Sequence, residues 1–172
     1  KNAEKTYGFF TKAENHLGNK LTSVSFDSVD ETNILGGEFA YVNNALSVQA
    51  EYLQTTVSGI NETELSSYYG QISYFLTGER RAYKNSLSGF GSVKPNNNYG
   101  ENGWGAIELA VRLSSMDLTT ANAGTLEDIT VGINWYLNPN TRVMFNYVIG
   151  EMINGEEIIT EDAVMMRVQL DF

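Results

Sequence analysis

Apolar and polar residues alternate one by one along several stretches of this chain, and that period of two limits its fold more than any other feature. Near the C-terminal end, Val164, Met166, Val168, Leu170 and Phe172 alternate with Met165, Arg167, Gln169 and Asp171. Val143, Phe145, Tyr147 and Ile149 oppose Arg142, Met144 and Asn146, and Ile129, Val131, Ile133, Trp135 and Leu137 oppose Thr130, Gly132, Asn134 and Tyr136. The pattern returns at Ile107, Leu109, Val111 and Leu113 against Glu108, Ala110, Arg112 and Ser114, and at Leu46, Val48, Ala50 and Tyr52 against Ser47, Gln49 and Glu51. Successive side chains of a strand point to opposite faces, so each stretch reads as a strand with one apolar and one polar side.

Turn chemistry sets the boundaries. Asn138-Pro139-Asn140-Thr141 suits a short turn and Asn43-Asn44 a two-residue hairpin. Strands are predicted near 33–43, 45–57, 65–78, 104–117, 126–138, 141–152 and 163–172, with one or two more inside 5–27, at Tyr7–His16 and Leu21–Phe26. Most are longer than the ~5–6 residues usual in a soluble sheet and long enough for the ~9–11 residues that cross a bilayer at a tilt. The predicted fold is therefore all-β: a transmembrane antiparallel β-barrel, with about eight or nine strands in a single domain over 1–172. A soluble β-sandwich also alternates, but it buries its apolar face on a second sheet and uses shorter strands. Here the polar face carries charge, glycine and amides, as a wet lumen does. Tyr52, Tyr68, Trp104, Trp135, Tyr136 and Tyr147 stand near strand ends or turns, where an interfacial girdle would place them.

Composition removes other classes. The sequence has no run of eighteen apolar residues, so it offers no candidate transmembrane helix. It contains no cysteine, which excludes disulfides, thiolate metal sites and cysteine nucleophiles within it. A formal charge of −10 with eleven scattered Lys and Arg argues against nucleic acid as a partner. Two prolines and ten tyrosines argue against a disordered acidic tail. The beginning, Lys1-Asn2-Ala3-Glu4-Lys5, has no apolar stretch and reads as a processed chain or a fragment.

If Phe172 ends a strand descending to the periplasmic side, strand parity assigns 153–162, 118–125 and 58–64 to external loops, and 138–141 and 43–44 to periplasmic turns. Residues 79–103, rich in Gly and Asn, are long for the periplasmic side. Either they fold into the pore or against its mouth, or the parity fails there.

The segments Tyr74-Phe75-Leu76-Thr77-Gly78-Glu79-Arg80-Arg81-Ala82-Tyr83-Lys84, Val93-Lys94-Pro95, Gly103-Trp104-Gly105-Ala106-Ile107-Glu108-Leu109-Ala110-Val111-Arg112 and Gly132-Ile133-Asn134-Trp135-Tyr136-Leu137-Asn138-Pro139-Asn140 resemble, in order and spacing, the C-terminal half of the phosphate-selective porin O/P family. The resemblance runs from about Glu38 to Phe172. It implies half of a sixteen-stranded outer-membrane barrel, commonly a homotrimer, that passes small anions such as phosphate by diffusion and touches outer-membrane lipid and lipopolysaccharide. No catalytic residue, metal or cofactor is expected.

Phosphate selectivity does not follow from the resemblance alone, because in selective members it goes with rows of Arg and Lys in parts of the chain not matched here. Arg112, Arg142 and Arg167 on the polar face are offset by Glu38, Glu51, Glu108 and Asp171. An Arg and a carboxylate on neighbouring strands can pair, so a rigid salt-bridge network is one reading of all seven and ion selection the other. Arg80, Arg81, Lys84 and Lys94 face only Glu79 and Glu101 within 78–103, a net +2 in a chain of −10. In a narrow pore such a cluster attracts anions; as a surface loop it binds neighbouring carboxylates. The acidic run Glu151, Glu156, Glu157, Glu161 and Asp162 reads as solvated surface, with lipopolysaccharide-bound divalent cations as its functional alternative. His16, the single histidine, has no Gly-x-Ser-x-Gly elbow to serve, and Asn61-Glu62-Thr63 reads as a coincidental sequon. Passive diffusion of small hydrophilic solutes is the expected function. A plugged structural or adhesive barrel and a soluble binding sandwich are the alternatives.

Overall fold

In the computed structural model, residues 6–14, 18, 20–84 and 89–172 are described. His16 lies outside them, as does the side chain of Lys84. The strands in chain order are β1 (Tyr7–Thr11), β2 (Thr22–Phe26), β3 (Glu31–Asn43), β4 (Leu46–Ser58), β5 (Thr63–Phe75), β6 (Tyr83–Lys84), β7 (Gly89–Phe90), β8 (Ala106–Asp117), β9 (Thr125–Asn138), β10 (Thr141–Asn154) and β11 (Glu157–Leu170). Seven of them form one antiparallel wall in the order β11-β10-β9-β8-β5-β4-β3, open at both edges. Its strands are 12–14 residues long, enough to cross a hydrocarbon core of ~30 Å when tilted.

Three details differ from the sequence reading. β1 and β2 pair with each other, Tyr7 opposite Phe26 and Thr11 opposite Thr22, and do not join the wall. β11 starts at Glu157 instead of near 163, so 153–162 is no loop but a continuing hairpin that closes on Gly155-Glu156. Ile153 pairs with Ile158 and Met152 with Ile159, and Gly155 at φ +63° supplies the left-handed turn residue. Ladder bonding thus persists through a run that strand parity assigned to an external loop. The first hairpin turn is Asn44-Ala45, one residue later than predicted, with Asn44 at φ +51°.

The wall is inverted relative to a soluble sheet. Across β8, β9, β10 and β11, Val111, Val131, Tyr147 and Val164 form one row and Leu109, Ile133, Phe145 and Met166 the next. All eight are exposed. The alternate positions hold the buried residues, including Ser47, Ser73, Glu108, Asp128 and Val148. Val131, Ile133, Val143, Phe145, Val168 and Leu170 share the apolar side, and Asn134, Asn146, Arg167 and Gln169 the other. Among the described residues no second sheet covers the apolar side.

Two inserts cover the polar side instead. At the end that carries the 59–62 and 118–124 connections, Phe9, Val24 and Phe26 of the β1–β2 hairpin pack on Leu65, Leu118 and Ala123. At the end with the short turns, Val93 of the 76–105 connection joins Ala45, Phe75, Ala106 and Tyr136. That connection leaves from the end its parity requires and turns back over the polar face. Part of it also crosses the rim: Tyr99 lies against Trp135 (ring centroids 5.3 Å) and Trp104, whose carbonyl accepts the Trp135 indole N–H at 2.6 Å. Tyr136, read as a girdle residue, is instead only 6% exposed on the polar side, as its odd register relative to Trp135 demands.

If the bare face meets lipid, Val131→Arg should cost roughly 2–4 kcal/mol of folding free energy near the bilayer midplane, and Asn146→Arg on the opposite face far less. Denaturant titration of the lipid-embedded protein checks this, and equal costs at the two positions would contradict the assignment of faces.

Candidate functional site

The candidate site is the polar face together with its two inserts. Adjacent strands bring Glu38, Glu51, Tyr69, Ser114, Asp128, Gly150 and Glu161 into one row across the wall. Two residues along each strand, toward the short turns, the next row contains Gln49, Gln71, Arg112 and Thr130. Glu108, Asn134, Met144 and Arg167 form another nearer the turns, followed by Ala106, Tyr136, Arg142 and Gln169.

Among the described residues the ion pairs run from insert to wall, not from strand to strand. The sequence reading had allowed pairing between neighbouring strands. The registers explain the difference: opposite Arg112 stand Gln71 and Thr130, and opposite Arg167 stands Met144.

Arg81 anchors the connection at the short-turn end. Its Nε donates to Glu108 Oε1 at 2.9 Å and its Nη1 to Gln49 Oε1 at 3.3 Å. Glu108, fully buried, also accepts from Asn134 Nδ2 and the Tyr136 hydroxyl, each at 3.0 Å, so its charge has the several donors that burial requires. Within the connection, Glu79 accepts the Asn96 backbone N–H at 2.9 Å and the Thr77 hydroxyl. Phe90 lies under the Arg81 guanidinium, 5.4 Å from its ring centre.

The remaining basic residues differ in how far they are neutralised. Arg80 and Lys94 are exposed, and among the described residues neither forms an ion pair. Arg142 donates twice to Gln169 Oε1, at 3.2 and 2.8 Å, a neutral partner that leaves its charge in place. Arg81 and Arg142 both line a cleft of about 300 Å³ with Tyr136, Asn140 and Asp171. Arg167 is exposed on the edge strand.

Arg112 stacks on Tyr69, its guanidinium carbon 3.8 Å from the ring centre, and pairs with Glu14 of the segment that follows β1. Glu14 was not singled out by sequence reasoning. It sits in a segment without alternation and meets Arg112 across 98 positions, so no local pattern marks it. The acidic residues 151–162 lie along the β10–β11 hairpin, and among the described residues no group of carboxylates is arranged to hold a metal ion.

With this geometry in place, comparison with known proteins is decisive for the class. The family model for phosphate-selective porin O and P matches residues 8–172. The chain belongs to that family. The match therefore includes the β1–β2 hairpin, upstream of the motifs around Glu38 and beyond. Porin O of Pseudomonas aeruginosa is 29% identical over 164 residues, covering 82% of this chain and 36% of that protein. An uncharacterised protein of Caulobacter vibrioides is 27% identical over 169 residues, covering 91% of this chain and 34% of that protein. The chain thus spans about a third of the length of the curated relatives it matches. Membership makes this an outer-membrane porin sequence, in a family of channels and not of enzymes.

Glu108→Ala should release the connection at the short-turn end, because it strands the Arg81 charge and removes the acceptor shared with Asn134 and Tyr136. A loss of about 3–5 kcal/mol is expected for a buried pair broken on one side. Thermal unfolding and limited proteolysis within 79–103 measure it; unchanged stability and unchanged cleavage would mean that the pair does not hold the insert.

Proposed function

We propose that this chain supplies a wall segment and two lumenal inserts of a water-filled channel through which small hydrophilic solutes diffuse passively. The observation that carries this reading is the inverted wall: charge and amides are covered on the polar side while the apolar side stays bare, which suits a lumen behind and lipid in front. Further strands would pair with the open β3 and β11 edges, closing a barrel of sixteen, and three copies would assemble as a homotrimer in contact with lipid and lipopolysaccharide.

Small anions, phosphate among them, are the proposed solutes. The support lies at the short-turn end, where Arg80, Lys94 and Arg142 lack carboxylate partners among the described residues and the family's description is phosphate-selective. Arg81, by contrast, spends its charge on Glu108 and acts as an anchor. Because two inserts lie over the polar face, a plugged structural barrel is the second reading, and single-channel conductance separates the two.

In the full-length protein reconstituted in planar bilayers, the double variant Arg80→Gln with Lys94→Gln should lower the anion-to-cation permeability ratio with little change in open-channel conductance. The effect should shrink as the Debye length falls from ~10 Å at 0.1 M to ~3 Å at 1 M salt. Reversal potentials equal to the parent's at 0.1 M would assign these two residues to the surface, outside the ion path.

A further inference from the structure

Glu14 reaches the wall from an insert and meets one guanidinium and two hydroxyl donors there. Its Oε1 lies 2.5 Å from Arg112 Nε and accepts the Ser114 hydroxyl at 2.9 Å, while its Oε2 accepts the Thr130 hydroxyl at 2.7 Å. The donors come from two neighbouring strands, β8 and β9, and converge on one carboxylate. The approach is close. A Cβ built on Gly150 would come within 2.7 Å of the Ala13 Cβ and 2.6 Å of Asp128 Oδ1, so the glycine is what lets the segment reach the sheet. Ala13 is itself buried, and Thr22 Oγ1 ties the hairpin to the Ala123 carbonyl at 3.2 Å.

The contact lies beside a cleft of about 280 Å³ also lined by Lys12, Glu51, Tyr69 and Asp128. Arg112 and Lys12 there face Glu14, Glu51 and Asp128, so one carboxylate decides whether basic and acidic groups balance. The pair remains partly open, with side-chain exposures of 35% for Arg112 and 22% for Glu14.

The geometry points to Glu14 as a selectivity-determining residue: a carboxylate tethered to the lumen wall that occupies the oxyanion position on Arg112, Ser114 and Thr130 and denies it to passing anions. This rests on the channel reading above. It gives the pore two electrostatic ends, one where Arg80, Lys94 and Arg142 keep their charge and one where the wall's arginine is cancelled from within the chain. Ion preference then depends on the insert as much as on the barrel.

Zero-current potentials of the full-length protein in planar bilayers under a potassium chloride gradient test it. Glu14→Gln keeps the length of the side chain, with a carbonyl acceptor for one hydroxyl and an amide donor toward the oxygen of the other, but removes the charge. At ~0.1 M salt it should raise the anion-to-cation permeability ratio roughly two- to threefold, as expected for one charge removed some ~8 Å from the ion path in water. Arg112→Gln should move the ratio the other way, and the double variant should return it near the parent's. Glu14→Asp, which keeps the charge, should hold the parent's ratio. A conducting Glu14→Gln channel with the parent's ratio overturns the assignment, as does a Glu14→Asp shift as large as that of Glu14→Gln, which would mark a packing role. A parent that forms no channel refutes the porin reading itself.

Discussion

A backbone in hydrocarbon must satisfy every N–H and C=O within the protein, because no water is present to take up a missing bond. Strands can do so only in a continuous ladder, and the seven-stranded wall is such a ladder, with 10–14 paired residues at each junction between neighbours. Once the ladder is continuous, the period of two leaves only a choice of which face meets which solvent. Here the apolar face is bare and the polar face is covered, so Ser47, Ser73, Glu108 and Asp128 are buried beside Val57, Phe75, Leu118 and Val148 while the lipid-suited side chains stay exposed.

That inversion changes what holds the molecule together. Among the described residues two small apolar clusters lie on the polar side, and each joins an insert to one end of the wall. Between them the junctions are electrostatic: Arg81 to Glu108 at the short-turn end and Glu14 to Arg112 farther up. Both pairs have neutral donors or acceptors at hand, Gln49, Asn134 and Tyr136 in one case and Ser114 and Thr130 in the other. In the proposed channel a charge held this way would also be removed from the solute path, so that anchoring and selectivity would draw on the same residues.

Alternation made the wall legible in the sequence. β4, β8, β9, β10 and the C-terminal part of β11 lie where apolar residues recur at every second position, because one face of each must suit lipid and the other water. Strand parity likewise placed the long 79–103 segment at the short-turn end, where the connection between Phe75 and Ala106 leaves the wall. The inserts were not legible in the same way. β1 and β2 resemble wall strands in composition, yet they pair only with each other, a choice set by packing on Leu65 and Leu118. Assigning 153–162 to an external loop hid the start of β11, although charge at the far end of a hairpin does not interrupt backbone pairing. Tyr136 resembled a girdle residue until register put it beside Glu108, and Glu14 belongs to no pattern that a one-dimensional reading contains.

The assignment of lipid and lumen to the two faces is tested most directly by single-cysteine scanning along β9, from position 129 to position 134, in the membrane-embedded protein. The chain has no cysteine of its own, so labels introduced here report on these positions without a background from within it. Ile129→Cys, Val131→Cys and Ile133→Cys should resist a membrane-impermeant thiol reagent and, when spin-labelled, relax rapidly with dissolved oxygen. Asn134→Cys should react with the reagent and respond weakly to oxygen. Uniform reactivity along the strand, or the opposite alternation, would contradict the inverted wall and with it the channel.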